Sequence, residues 1–140
     1  MAVRSDRDLQ RALIKTRKVE TGQTVVVGRV VKDGNADGEC QHCDDGVDAI
    51  GVITSLGPLA GAAGDEVQLA YLAGAIVIPV KVGTGGAVRG KFAKCVADGV
   101  TSATPTVTTP VAVDVVGFFT QSGSVGEIVG MVPARSWLNE

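Results

Sequence analysis

Apolar and polar positions alternate with a period near two through much of the chain. Residues 23–31 read QTVVVGRVV, residues 47–54 read VDAIGVIT, and residues 64–69 read GDEVQL. β-Branched residues at that period suit a pleated surface better than a helix, so each stretch predicts a strand. The pattern also recurs. Val47-Asp48-Ala49-Ile50-Gly51-Val52-Ile53-Thr54 is echoed 66 positions later by Val113-Asp114-Val115-Val116-Gly117-Phe118-Phe119-Thr120, and the return segment from Gly64 to Leu69 is echoed from Gly126 to Met131. An apolar run, a turn, and a Gly-acid-x-Val-x-apolar return read as one β-hairpin used twice.

Upstream of each hairpin a glycine precedes a basic residue, Gly28-Arg29 and Gly90-Lys91, and an Asp-Gly turn signal follows, Asp33-Gly34 and Asp98-Gly99. The duplication therefore covers about residues 20–69 and 83–132. Between the units, residues 69–82 form a long β-rich run whose Pro79 belongs at an edge or a bulge. Residues 101–110, rich in threonine and proline, predict a loop. Ser5 followed by Asp8, with Leu9, Ala12 and Leu13 at helical spacing, predicts a short N-terminal helix.

Composition narrows the fold. The 140 residues include 45% apolar but only 4% aromatic positions and 19 glycines, so the core is aliphatic and the strands are joined by tight turns. That combination predicts an all-β fold, jelly-roll-like or a barrel, with an internal hairpin duplication, as a single β domain at 20–140 behind an arm or short helix at 1–19. No apolar run approaches the ~18 residues that cross a bilayer, and charges stand where a signal peptide has its apolar segment, so a non-secreted protein without membrane contact is expected. The odd number of cysteines, Cys40, Cys43 and Cys95, predicts a reducing compartment without structural disulfides.

Net charge is only −2, but it is unevenly placed. Arg4, Arg7, Arg11, Lys15, Arg17 and Lys18 against Asp6 and Asp8 give the first 18 residues +4, whereas residues 33–48 carry six carboxylates and no Lys or Arg. A basic arm and an acidic loop suit different partners, or each other on neighbouring copies. Elsewhere the cations are scattered and aromatics are few, which argues against direct nucleic-acid binding.

Four constellations bear on chemistry. Asp33, Asn35, Asp37 and Asp44, with Gly38 at the sixth position, match the spacing of a calcium loop, although Asp44 replaces the usual bidentate Glu and the flanks read as strands. A plain acidic turn explains the same residues. Cys40-x-His42-Cys43 places a thiol pair that zinc or thiol exchange could use, but two further zinc ligands and a βα context are missing from the local sequence. Gly83-Thr84-Gly85-Gly86 resembles a phosphate cradle without the following helix, and a turn is the better reading. Asp48 and Asp114 recur between the units as structural equivalents more readily than as a carboxylate pair. One histidine and no Gly-x-Ser-x-Gly elbow leave the familiar catalytic triads unassembled, so no catalytic residue and no cofactor are assigned.

The order of segments in GDEVQLAYLAGAIVIPVKVGTGGAVRGKFAKCVADG, then VDVVGFFTQSGSVGEIVGMV, resembles the small capsid decoration, or cement, proteins of tailed bacteriophages. The likeness covers residues 64–132 well and residues 20–69 less well, through the internal repeat. It implies a non-enzymatic β-barrel or jelly-roll-like subunit, made in the bacterial cytoplasm, that sits on the outside of an icosahedral virion shell. Its implied partners are the major capsid protein and further copies of itself, as dimer or trimer. The basic arm (Arg4, Arg7, Arg11, Lys15, Arg17) and Trp137 with Leu138 are then the candidate contacts. A calcium-dependent carbohydrate- or surface-binding module using Asp33 to Asp44 is the alternative, and a zinc or thiol-redox enzyme is a further one.

Overall fold

The fold is seen in a computed structural model that describes residues 14–43, 49–54, 60–72, 77–96, 99–103 and 113–138. No α-helix occurs among them. The strands of the first half are β1 (Ile14–Val19), β2 (Val25–Val26), β3 (Val30–Asp33), β4 (Glu39–His42), β5 (Ala49–Ile53), β6 (Ala60–Gly61) and β7 (Glu66–Tyr71). Those of the second are β8 (Ile78–Lys81), β9 (Phe92–Cys95), β10 (Thr101–Ala103), β11 (Val113–Phe119) and β12 (Ile128–Leu138).

Five strands of the first half close into a barrel in the order β1-β4-β3-β5-β7. The second half forms a sheet in the order β10-β9-β11-β12-β8. An isolated parallel bridge, Val82 to Thr101, joins its two edges, from the residue after β8 to the first residue of β10. That bridge corresponds to the parallel pairing of Val19 with Cys40 that closes the first barrel. Both halves thus follow one circuit, the second closed by a single contact.

The correspondence holds to the residue. Gly51 pairs with Tyr71 and Ile53 with Leu69, and Gly117 pairs with Pro133 and Phe119 with Met131. Val30 pairs with Val52, and Phe92 with Phe118. Even the two-stranded ribbon of β2 and β6, with Val25 opposite Gly61, has its counterpart in the bridge from Ala87 to Gly123. The Gly-acid motif closes the same turn in each unit: Asp65 Oδ2 accepts the Ala62 N–H at 2.9 Å, and Glu127 Oε1 accepts that of Ser124 at 2.7 Å. The repeated strand glycine has a steric cause. A Cβ at Gly51 would lie 2.5 Å from the Ala70 carbonyl, and one at Gly117 would lie 2.4 Å from that of Val132.

Several expectations need correction. Residues 14–19, assigned to the arm, are the first barrel strand, so Lys15 and Arg17 belong to β1 rather than to a leader. Alternation in that strand is masked in sequence by its charged positions, which reach solvent at the barrel end. The left-handed glycine equivalent to Gly99 is Gly38, not Gly34, because six residues separate the paired Asp33 and Cys40 whereas five separate the paired Cys95 and Thr101. The predicted loop at 101–110 begins with three strand residues. Pro79 does lie in an edge strand of the second sheet, opposite Gly130. The predicted N-terminal helix, with Arg4, Arg7 and Arg11, lies outside the described residues, as do Asp44 and Asp48.

Two cores result. Val19, Val25, Val31, Cys40, Ile53, Val67 and Leu69 fill the first barrel. The second cluster joins the inside of the second half, including Val82, Ala93, Phe119, Val129 and Met131, to Val30, Val52 and Ala70 on the outside of the first barrel. Strands β3, β5 and β7 are therefore buried on both faces where they cross this seam, at Val30-Val31, Val52-Ile53 and Leu69-Ala70. Side-chain volume is redistributed between equivalent interiors. Val31 becomes Ala93 while Ile53 becomes Phe119, and Cys40 becomes Thr101, whose hydroxyl is satisfied by the Lys81 carbonyl at 3.1 Å.

Candidate functional site

The cysteine-histidine segment does not assemble a reactive centre. It lies on β4 and the residue after it, so alternation sends Cys40 into the first barrel and Cys43 into the core between the halves. Burial pushes the Cys40 thiol up to about 11, away from the thiolate that metal binding or exchange requires. Cys95 joins Cys43 rather than Cys40, its Sγ–H directed at the Cys43 carbonyl at 3.5 Å. His42 Nε2 accepts the Val26 N–H at 3.1 Å, a structural contact between the β2 ribbon and the barrel. All three cysteines are buried, and none forms a disulfide.

The acidic segment is built as a hairpin. Strand β4 occupies the seventh to tenth positions of the would-be calcium loop, which removes the continuous ligand loop that the Asp33, Asn35, Asp37, Asp44 spacing implied. Its oxygens serve the turn instead. Asp33 Oδ1 accepts from Arg17 at 2.6 Å, Glu39 Oε1 accepts the Ala36 N–H at 3.3 Å, and the buried Glu20 carboxylate accepts the Asn35 N–H. Among the described residues no group of three His, Cys, Asp or Glu side chains is placed to hold a metal ion.

What remains are the two ends of the molecule, and they differ in kind. At the first barrel's end, the Arg17 guanidinium donates to the Tyr71 hydroxyl at 2.9 Å as well as to Asp33. Tyr71 first, and Asp33 after it, hold the Arg17 pKa above its ordinary value against the opposing effect of partial burial. Beside this cluster runs an open groove of about 410 Å³ lined by Thr16, Arg17, Lys18, Asp37, Gly38 and Glu66. Of the expected contact residues, Lys15 and Arg17 therefore sit together on β1, and Lys15 is exposed. Trp137 and Leu138 lie far along β12, opposite Asp114 and Val113.

The second half presents a different surface. Phe92 and Phe118, neighbours across β9 and β11, are 42% and 38% exposed. Their equivalents in the first barrel, Val30 and Val52, are fully buried against the second half. Alternation alone places these phenylalanines in strands but not on an open face. The signal that could have found them is the internal repeat, in which valine is replaced by phenylalanine at both outward positions.

No protein-family model matches the chain, and no curated protein matches it. Among solved structures it is similar to the N base of head fiber gp8.5 in bacteriophage phi29, with a TM-score of 0.66 and 20% sequence identity. The likeness covers 91% of this chain and 98% of that one, and so extends over both halves. At that identity it establishes a shared all-β architecture.

Proposed function

We propose that the protein is a non-enzymatic structural component of a bacteriophage head, which binds the outside of the icosahedral shell and clamps neighbouring major capsid proteins. The observation that carries this reading is the near full-length likeness to a head-fiber base, which takes in both halves of the duplicated fold. Two further features support it. The thiols and the single histidine are committed to cores and strand contacts, and the exposed features are a charged end with an open groove and an apolar face.

In this reading the leader, with Arg4, Arg7 and Arg11, reaches an acidic surface of the shell or of a sister subunit, and Trp137 with Leu138 contributes a second contact. Many modest contacts add on a repeating lattice, and each bound copy favours the assembled shell by mass action. The test is cosedimentation of the purified protein with phage shells stripped of their accessory proteins. Saturable binding at a fixed ratio to the capsid subunit is expected. Absence of binding under conditions where the protein is folded overturns the proposal.

A further inference from the structure

The two barrels are joined front to back, which leaves one unmatched face at each end of the pair. The outward face of the first barrel, at Gly28, Val30, Val52 and Ala70, packs on the second half. The Lys81 N–H donates to the Gly28 carbonyl at 2.8 Å, and Cys95 meets Cys43. In the first barrel the residues equivalent to Val80 and Cys95 are Arg17 and Asp33, which bond to each other, Arg17 also reaching Tyr71. That end is closed by charge, as terminal units of repeat proteins are. The opposite end is not. The outward face of the second half, equivalent to the one buried inside the molecule, carries Phe92 and Phe118 at 42% and 38% exposure.

The charges that flank Phe92 are positive. Lys94 follows Phe92 at the same-face spacing of two, and Lys91 adjoins Phe92. A protein whose overall pI is about 5.4 thus offers an apolar face with a lysine border. A second copy is a poor occupant. Its own equivalent face would set lysines against lysines, and its other end would set phenylalanines against the Arg17–Asp33 cluster and the charged groove.

We propose that the Phe92–Phe118 face docks a shell protein whose contact surface presents aliphatic side chains bordered by carboxylates. The proposal rests on the head reading above and adds the docking face and the chemistry of what it meets. Each phenylalanine leaves about two-fifths of the ~200 Å² of an aromatic side chain uncovered, well short of the ~800 Å² per partner of a stable two-body interface. The contact therefore fits a lattice, where it acts together with others.

The experiment compares three proteins for binding to stripped shells: the wild type, a Phe92→Ser/Phe118→Ser variant, and a Lys91→Glu/Lys94→Glu variant. Urea unfolding of each confirms that it is folded, and the lysine pair tests the face even where the serine variant is unstable. Weakening of about tenfold or more in both variants is expected, with wild-type binding that falls as salt is raised. Wild-type affinity in the folded variants overturns the docking face while leaving the head reading intact. No binding by the wild type overturns both. Wild-type self-association in sedimentation velocity that the serine variant abolishes assigns the face to a second copy and overturns the proposal.

Discussion

Equivalent glycines in the two halves stand in opposite surroundings. Gly38 and Gly99 close the same turn with φ of +79° and +75°, yet a Cβ at Gly38 meets nothing within 4 Å, whereas one at Gly99 would lie 2.4 Å from the Val30 carbonyl. Gly28 and Gly90 show the reverse placement, the first packed against Lys81 and Ile128, the second open. The backbone circuit is duplicated while the surroundings are not, because each half meets the other through a different face. The duplication therefore preserved a fold and divided the surface labour: one end polar, one seam buried, one face apolar and open.

Substitution at the paired glycines is the strongest way to break this picture. Gly99→Ala is expected to cost about 4 kcal/mol, from left-handed strain plus overpacking against backbone, while Gly38→Ala costs about 1 kcal/mol from strain alone. Urea denaturation of both variants measures the difference, and equal costs would show that the halves do not meet at Gly99. Next in size, Val30→Ser should lose about 3 kcal/mol and Phe92→Ser less than about 1 kcal/mol, although phenylalanine is the larger side chain, because only valine is fully buried.

Cys40 sharpens the contrast from inside the first barrel, since its counterpart Thr101 does not titrate. A thiol whose folded pKa is raised from 9.0 to about 11 contributes stability that is intact below pH 9.0 and is lost as pH rises toward 11. Stability should fall by up to about 1.4 kcal/mol per pH unit in that window, and Cys40→Thr should remove that part of the slope. The redistribution of core volume is testable by a cycle. Ile53→Phe alone should cost about 2 kcal/mol, and adding Val31→Ala, as in the Ala93–Phe119 pair, should recover about 1 kcal/mol of it. The smallest effect is expected at the charged end. Asp33 is 65% exposed, so Asp33→Ala should cost less than about 1 kcal/mol and its effect should shrink in salt.

Much of this architecture is legible in the amino-acid sequence. The period-two pattern of residues 23–31 and 64–69 and the echo of residues 47–54 at 113–120 identify an all-β chain with a repeated hairpin, and the paired registers of Gly51 and Gly117 agree with it. The first strand is hidden because Lys15, Arg17 and Lys18 break the apolar signal, and a charged strand at a barrel end looks locally like a solvated arm. The calcium spacing misleads for a related reason: turn residues and metal ligands are the same amino acids, and only the course of β4 through the segment separates the two readings.

Local chemistry by itself thus determined the elements and their repetition, since side-chain period and turn preference act over a few residues. Which of two equivalent apolar positions becomes core and which becomes surface was decided by the tertiary structure alone. Val30 and Phe92 occupy the same place in the same circuit, and their strand patterns are alike. Their fates differ because burial depends on what packs across the face, and that neighbour is supplied by residues some sixty positions distant in the chain.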